Sequence, residues 1–327
     1  MKKFILCLFI LFYADSAFAQ NEDTLYNIKN YFDTTTYVSG DIRFLDFADK
    51  ADGYWLFLPQ NPQPDTAEVI VFLHGYGGYN PMIYGKWIKH LVRQGNIVVF
   101  PRYQKNMMRP RPDKFAENTA EAVRAAQKEI AERQNITGLW NNLTMVGHSY
   151  GGVTAADLAA NYESYNIPKP RAIMLVSPGT AWLKKGRLDS YENIPADTKI
   201  MITVSENDYT TGDEFAILVF ETARNTKNRV LYRQFTDPYK RAPITAGHNE
   251  SYSVDLDFDA GFRNYTSKRA LRISQLNALD YNGYWRLFDN LIACQRTGVT
   301  CDWSGKDFNL GKTHDGVPLG RFEVIVP

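Results

Sequence analysis

The stretch Leu143-Thr144-Met145-Val146-Gly147-His148-Ser149-Tyr150-Gly151-Gly152 sets a serine between glycines where an apolar strand gives way to a small-residue helix. Gly-x-Ser-x-Gly is short enough to arise by chance, so its weight comes from that strand-turn-helix setting. A serine there sits at a sharp turn that lifts its hydroxyl clear of the sheet. Side chains at positions 147 and 151 would crowd the neighbouring backbone. The Tyr150 amide, opening the helix, can face an oxyanion as it develops. A second glycine-rich loop, His74-Gly75-Tyr76-Gly77-Gly78, directly follows the apolar run 68–73. Together they point to nucleophilic attack by Ser149 on an acyl carbon, with backbone amides holding the charged oxygen.

The surrounding elements alternate. Runs 53–58 (GYWLFL) and 68–73 (EVIVFL) read as strands separated by a Pro-Gln-Pro-Asp turn, and 96–100 as a third. The 68–73 run is apolar on both faces, as a central parallel strand must be. Helical spacing is visible over 81–93 through Ile83, Trp87, Ile88 and Leu91, and an Ala- and Glu-rich helix is predicted over 114–133. Strand 143–146 leads into the serine turn and a helix over 152–160. Further strands are predicted at 172–176, 199–204 and 229–235, with helices at 214–223 and 278–293. This succession predicts an α/β fold with a mostly parallel central sheet and helices on both faces. The connection 178–198 is too short for a large helical cap. Segment 249–277 has no clear period and is too long for an ordinary connection, so it reads as an excursion over the site.

Phe72-Leu73-His74-Gly75-Tyr76-Gly77-Gly78 with Val146-Gly147-His148-Ser149-Tyr150-Gly151-Gly152 resembles the α/β-hydrolase superfamily, and in element order the similarity runs over about 53–293. The resemblance is to the esterase and lipase branches, including dienelactone-hydrolase-like and polyester-hydrolase-like groups. Branches with an aspartate where Ser149 stands are disfavoured. The resemblance implies a chain order of serine, acid, histidine. It also implies that the loop after strand 68–73 supplies the second oxyanion donor, assigned to the Tyr76 amide beside that of Tyr150. For the acid, Glu206 and Asp208 both follow strand 199–204, and the family's turn aligns with Asp208. Of the histidines after Asp208, His248 falls shortly after strand 229–235, where the fold places its base, whereas His314 sits in a polar turn near the end. His74 reads as a hydrogen-bonding brace of its loop, His90 as helical, and His148 as pointing away from the nucleophile. Trp182, on a loop at the carboxyl ends of the strands, is a candidate substrate-lining residue.

Composition bounds the rest. Residues 1–19 carry Lys2 and Lys3, a short apolar run and Ala17-Phe18-Ala19, the pattern of a cleaved signal peptide, which predicts a periplasmic or secreted chain of 20–327 forming one domain. The apolar run is too short to span a bilayer, and no later stretch is long enough. Cleavage removes two lysines and one aspartate from 37 basic and 36 acidic residues, leaving 35 of each, a balance that offers nothing to nucleic acid. Cys294 and Cys301 remain, an even pair that in an oxidising compartment predicts a disulfide. The expected reaction is hydrolysis of a small-molecule or polymeric ester through an acyl-enzyme, and it requires no metal or organic cofactor. A serine peptidase or acyltransferase would share the same triad. The sequence carries no signal for an oligomeric state.

Overall fold

The computed structural model describes residues 26–27, 37–183, 185–237, 244–297, 301, 303, 310–313, 315–320 and 322–327. The leader expected over 1–19 and the alternative base His314 lie outside the described residues.

Strands β1 (Asp41–Phe47), β2 (Tyr54–Gln60), β3 (Thr66–Leu73), β4 (Ile97–Pro101) and β5 (Thr137–His148) are followed by β6 (Ala172–Val176), β7 (Lys199–Ser205), β8 (Arg229–Gln234) and β9 (Phe322–Ile325). They form one nine-stranded sheet in the order β9-β8-β7-β6-β5-β3-β4-β2-β1. The interior pairs from β4 to β8 are parallel, and both ends are closed by antiparallel strands. This is the α/β-hydrolase arrangement expected from the sequence. Strand β1 was not anticipated: it is an edge strand with half-exposed side chains, and without full burial on either face its pattern is weak.

The helices are α1 (Gly85–Arg93), α2 (Phe115–Arg133), α3 (Tyr150–Ala160), α4 (Glu214–Thr222), α5 (Tyr265–Ile273) and α6 (Arg286–Thr297). Alternation along β3 divides the core: Val69, Val71 and Leu73 pack on one face with α2, α3 and α4, and Ile70 and Phe72 on the other with α1, α5 and α6. Where the sequence predicts one helix over 278–293, a π-helical turn at Leu279–Trp285 runs into α6. The Cys294–Cys301 disulfide forms at its end. Among the described residues no helix is long and apolar enough to cross a membrane.

The aperiodic segment 249–277 contains a short 3-10 turn at Leu256–Phe258 and helix α5, started by a capping box in which Asn264 and Ser267 exchange hydrogen bonds. The segment packs on the glycine-rich loop after β3. Asn264 Nδ2 donates to the Gly77 carbonyl at 2.7 Å and Thr266 Oγ1 to the Tyr76 carbonyl at 3.1 Å.

Candidate active site

Ser149 is the hinge between β5 and α3, with φ 54° and ψ −121°, a left-handed conformation that a side-chain-bearing residue adopts only under constraint. The constraint is visible. The Ser149 amide donates to the Val176 carbonyl of β6 at 2.8 Å, and its own carbonyl accepts from Gly152 at 3.0 Å. A Cβ at Gly147 would strike the Gly151 carbonyl, and one at Gly151 the Leu73 carbonyl. The glycines therefore let the turn close against β3. Helix α3 starts at Tyr150, so its positive end lies beside the serine.

His248 Nε2 lies 2.9 Å from Ser149 Oγ, and His248 Nδ1 lies 2.7 Å from Asp208 Oδ2. Asp208 follows β7 and is braced by donors. The Thr210 and Thr211 amides reach Oδ1 at 2.9 and 3.0 Å, and Thr211 Oγ1 donates to Oδ2 at 2.8 Å. Burial alone would raise this carboxyl, but the hydrogen bonds from His248 and Thr211 and the imidazole's charge prevail and hold it at about 2. An ionised Asp208 accepts the proton on Nδ1, which leaves the Nε2 lone pair facing the serine hydroxyl. Glu206 stands apart from this line, its carboxylate accepting the Thr236 amide at 2.9 Å.

The loop after β3 lies directly against the serine. A Cβ added at Gly75 would sit 3.2 Å from Ser149 Cβ and 2.9 Å from His148 Nδ1. Neighbouring amides are engaged: Gly75 donates to Tyr84 Oη at 3.0 Å and Gly77 to Gln104 Oε1 at 2.7 Å. The amides of Tyr76 and Tyr150 have no hydrogen-bond partner among the described residues. The side chains of both tyrosines turn to structural tasks, Tyr76 Oη donating to the Met107 carbonyl at 2.6 Å and Tyr150 Oη to that of Lys185. His74 braces the loop as expected, its ring nitrogens 2.7 and 2.8 Å from the Gly75 and Arg102 carbonyls and its face stacked on Tyr103. Burial lowers its pKa to about 4. Trp182 is exposed and meets Tyr76 edge-on at 6.1 Å between ring centroids. His90 is remote, buried on α1 against Asp289.

Sequence reasoning missed the work of His148. Its ring does turn away from Ser149 Oγ, but it takes two specific partners, Tyr84 Oη at Nδ1 and the His248 carbonyl at Nε2, each at 2.8 Å. Nothing near position 148 in the sequence signals them. Burial and the neighbouring His248 lower its pKa to about 3, so it is neutral.

A family model described as Chlorophyllase matches residues 54–189, under half of the chain, from β2 through the Tyr76 loop and the Ser149 turn to the Trp182 loop. Asp208 and His248 lie beyond it. No curated protein matches the chain. The match points to an ester hydrolase of the α/β-hydrolase type. The nine-stranded mixed sheet has the α/β-hydrolase arrangement, and over the matched residues the chain is similar to an esterase family of the α/β-hydrolase type.

Proposed function

We propose that this protein is an exported serine hydrolase that cleaves carboxylic esters, with Ser149 as nucleophile, His248 as base and Asp208 as the acid that orients it. The observation that carries the reading is the unbroken hydrogen-bonded line from Asp208 through His248 to Ser149, at 2.7 and 2.9 Å, beside two unengaged amides. His248 Nε2 takes the Ser149 proton as Oγ bonds to the acyl carbon, and Asp208 stabilises the imidazolium. The oxyanion is held by the Tyr76 and Tyr150 amides at the positive end of α3. Collapse of the tetrahedral intermediate breaks the ester C–O bond, and His248 returns its proton to the departing alcohol. Water then adds to the acyl-enzyme by the same route, releasing the acid and restoring the serine. The Cys294–Cys301 disulfide and the leader-like residues 1–19 support export.

The test uses p-nitrophenyl esters of graded chain length and a fluorophosphonate read by intact mass. The expected result is turnover and a single adduct in the wild type, with both abolished in Ser149→Ala. Adduct formation on Ser149→Ala at the wild-type rate would overturn the nucleophile assignment, and labelling without turnover of any ester would overturn the substrate class.

A further inference from the structure

The most exposed large apolar side chains among the described residues are not scattered. Tyr209, Met108, Trp182 and Tyr265 are 91, 90, 71 and 66 % exposed, above every other large apolar side chain described. Three stand on loops that build the candidate active site, and Tyr265 opens α5 where that helix meets the Tyr76 loop. Tyr209 follows Asp208. Met108 follows Met107, whose carbonyl accepts Tyr76 Oη at 2.6 Å. Trp182 meets the Tyr76 ring, and Tyr265 stands between Asn264 and Thr266, which grip the Gly77 and Tyr76 carbonyls. The loops also touch one another: Gly179 lies against Thr211, Gly186 against Tyr150 and Pro112, and Thr266 Oγ1 reaches Met107 Sδ at 3.9 Å. Single exposed apolar residues need no explanation, but the most exposed ones gathered on the segments that build one site do.

On segments 105–113 and 185–189, which carry Met108 and follow Trp182, Lys105, Arg109, Arg111, Lys185 and Arg187 are exposed against Asp113, paired with Arg111 at 2.7 Å, and Asp189, whereas the Tyr209 loop adds the exposed Glu206 and no cation. The whole chain is balanced, with 37 basic and 36 acidic residues, so this excess is local. Trp and Tyr, apolar bodies with polar tips, suit the headgroup level of a lipid layer, and each nearby Lys or Arg adds attraction to anionic lipid. A small soluble ester would engage neither the outward-facing rings nor the cations.

We propose that these loops form a docking rim for an anionic lipid surface, from which the site draws an ester-bearing amphiphile. The proposal rests on the esterase reading for the reaction but not for the binding.

Ser149→Ala, which cannot turn substrate over, is therefore the protein to use in co-sedimentation with vesicles of phosphatidylcholine alone or mixed with phosphatidylglycerol. It is expected to bind the mixed vesicles, to be released by high salt, and to leave pure phosphatidylcholine unbound. Adding Arg109→Glu with Arg111→Glu, or Met108→Ser with Tyr265→Ser, should weaken binding by about tenfold or more. In the Ser149 background these changes should leave hydrolysis of a short soluble p-nitrophenyl ester within about twofold, as expected for surface substitutions. Absence of binding to anionic vesicles, equal binding to both lipids, rim variants that bind like the parent, or capture by a soluble polyanion without vesicle binding would each overturn the proposal. Vesicle binding by a protein inactive on every ester would instead sink the esterase reading and leave the rim standing.

Discussion

His148 Nε2 donates its proton to the backbone carbonyl of His248 at 2.8 Å, tying the residue beside the nucleophile to the main chain of the proposed base. The polarity of the tie is forced. The Gly75 amide can only donate, so Tyr84 Oη accepts from it at 3.0 Å and gives its one proton to His148 Nδ1 at 2.8 Å. The proton on His148 must then sit on Nε2, facing a carbonyl that can only accept. Four residues thus link the Tyr76 loop to the backbone that carries the base, and they do so only while His148 is neutral.

That link makes His148 a positioning residue. His148→Leu leaves the buried Tyr84 hydroxyl and the His248 carbonyl without this partner, at about 1–3 kcal/mol for each unsatisfied group. The expected outcome is a kcat lower by about 10- to 100-fold with KM little changed, since a slightly misplaced base costs chemistry more than binding. His148→Gln, which can still donate, should recover part of the loss. Wild-type kcat in His148→Leu would remove the role.

The two candidate acids separate cleanly. Asp208→Asn should lower kcat by about 10⁴-fold through loss of the correct tautomer of His248. Glu206→Gln, whose carboxylate meets only the Thr236 amide among the described contacts, should change it little. Steady-state kinetics on one soluble ester decide between them, and the reverse ranking would transfer the role to Glu206.

Acid should destabilise the fold over a defined window. His74 and His148 lie at about 4 and about 3 against an ordinary 6.5, so between those values the unfolded chain binds more protons and stability rises with pH. Asp208, at about 2 against 3.8, contributes stability that is present above 3.8 and lost as pH falls through 2. All three act in the same direction. Their contribution to Tm should therefore fall as pH drops below about 6.5, so that Tm falls more shallowly in His148→Gln than in the wild type. Equal dependence of Tm on pH from 7 to 4 in the two proteins would contradict a buried neutral His148.

Asp280 works in the opposite sense. It is fully buried, and desolvation raises its carboxyl well above the ordinary value, so the folded state binds the extra proton and loses stability as pH rises from 3.8. Asp280→Asn, close in shape and uncharged at every pH, should raise Tm at pH 8 and make little difference below pH 4. Thermal melts at those two values measure it, and an unchanged difference across them would refute the assignment.

Gly75→Ala should fold yet lose activity. The added methyl would meet His148 Nδ1 at 2.9 Å and Ser149 Cβ at 3.2 Å, forcing the loop, the imidazole or the serine to shift. A displacement of this size near reacting atoms costs up to about 10²-fold in rate. Near-normal kcat would mean that the loop yields without consequence for the nucleophile.

The sequence by itself determined the order of elements, because apolar runs buried on both faces, such as β3, β6 and β7, are legible from residue type alone. It also determined the Ser149 turn, whose geometry depends on residues a few positions apart. Asp208 is singled out by the resemblance to the family's turn and His248 by chain order, and the hydrogen-bonded line from Asp208 through His248 to Ser149 joins residues 40 and 99 positions apart. Only the tertiary structure decided the rest. Strand β1 has a weak pattern because one sheet edge covers it incompletely. Segment 249–277 lacked a period because Asn264 and Thr266 serve the carbonyls of a loop almost 190 residues earlier in the chain, rather than a continuous apolar face. His148 finds Tyr84 and His248 across 64 and 100 residues. A local pattern reports which face of an element is buried, whereas the partner of a buried polar group is fixed by whatever distant element packs against it.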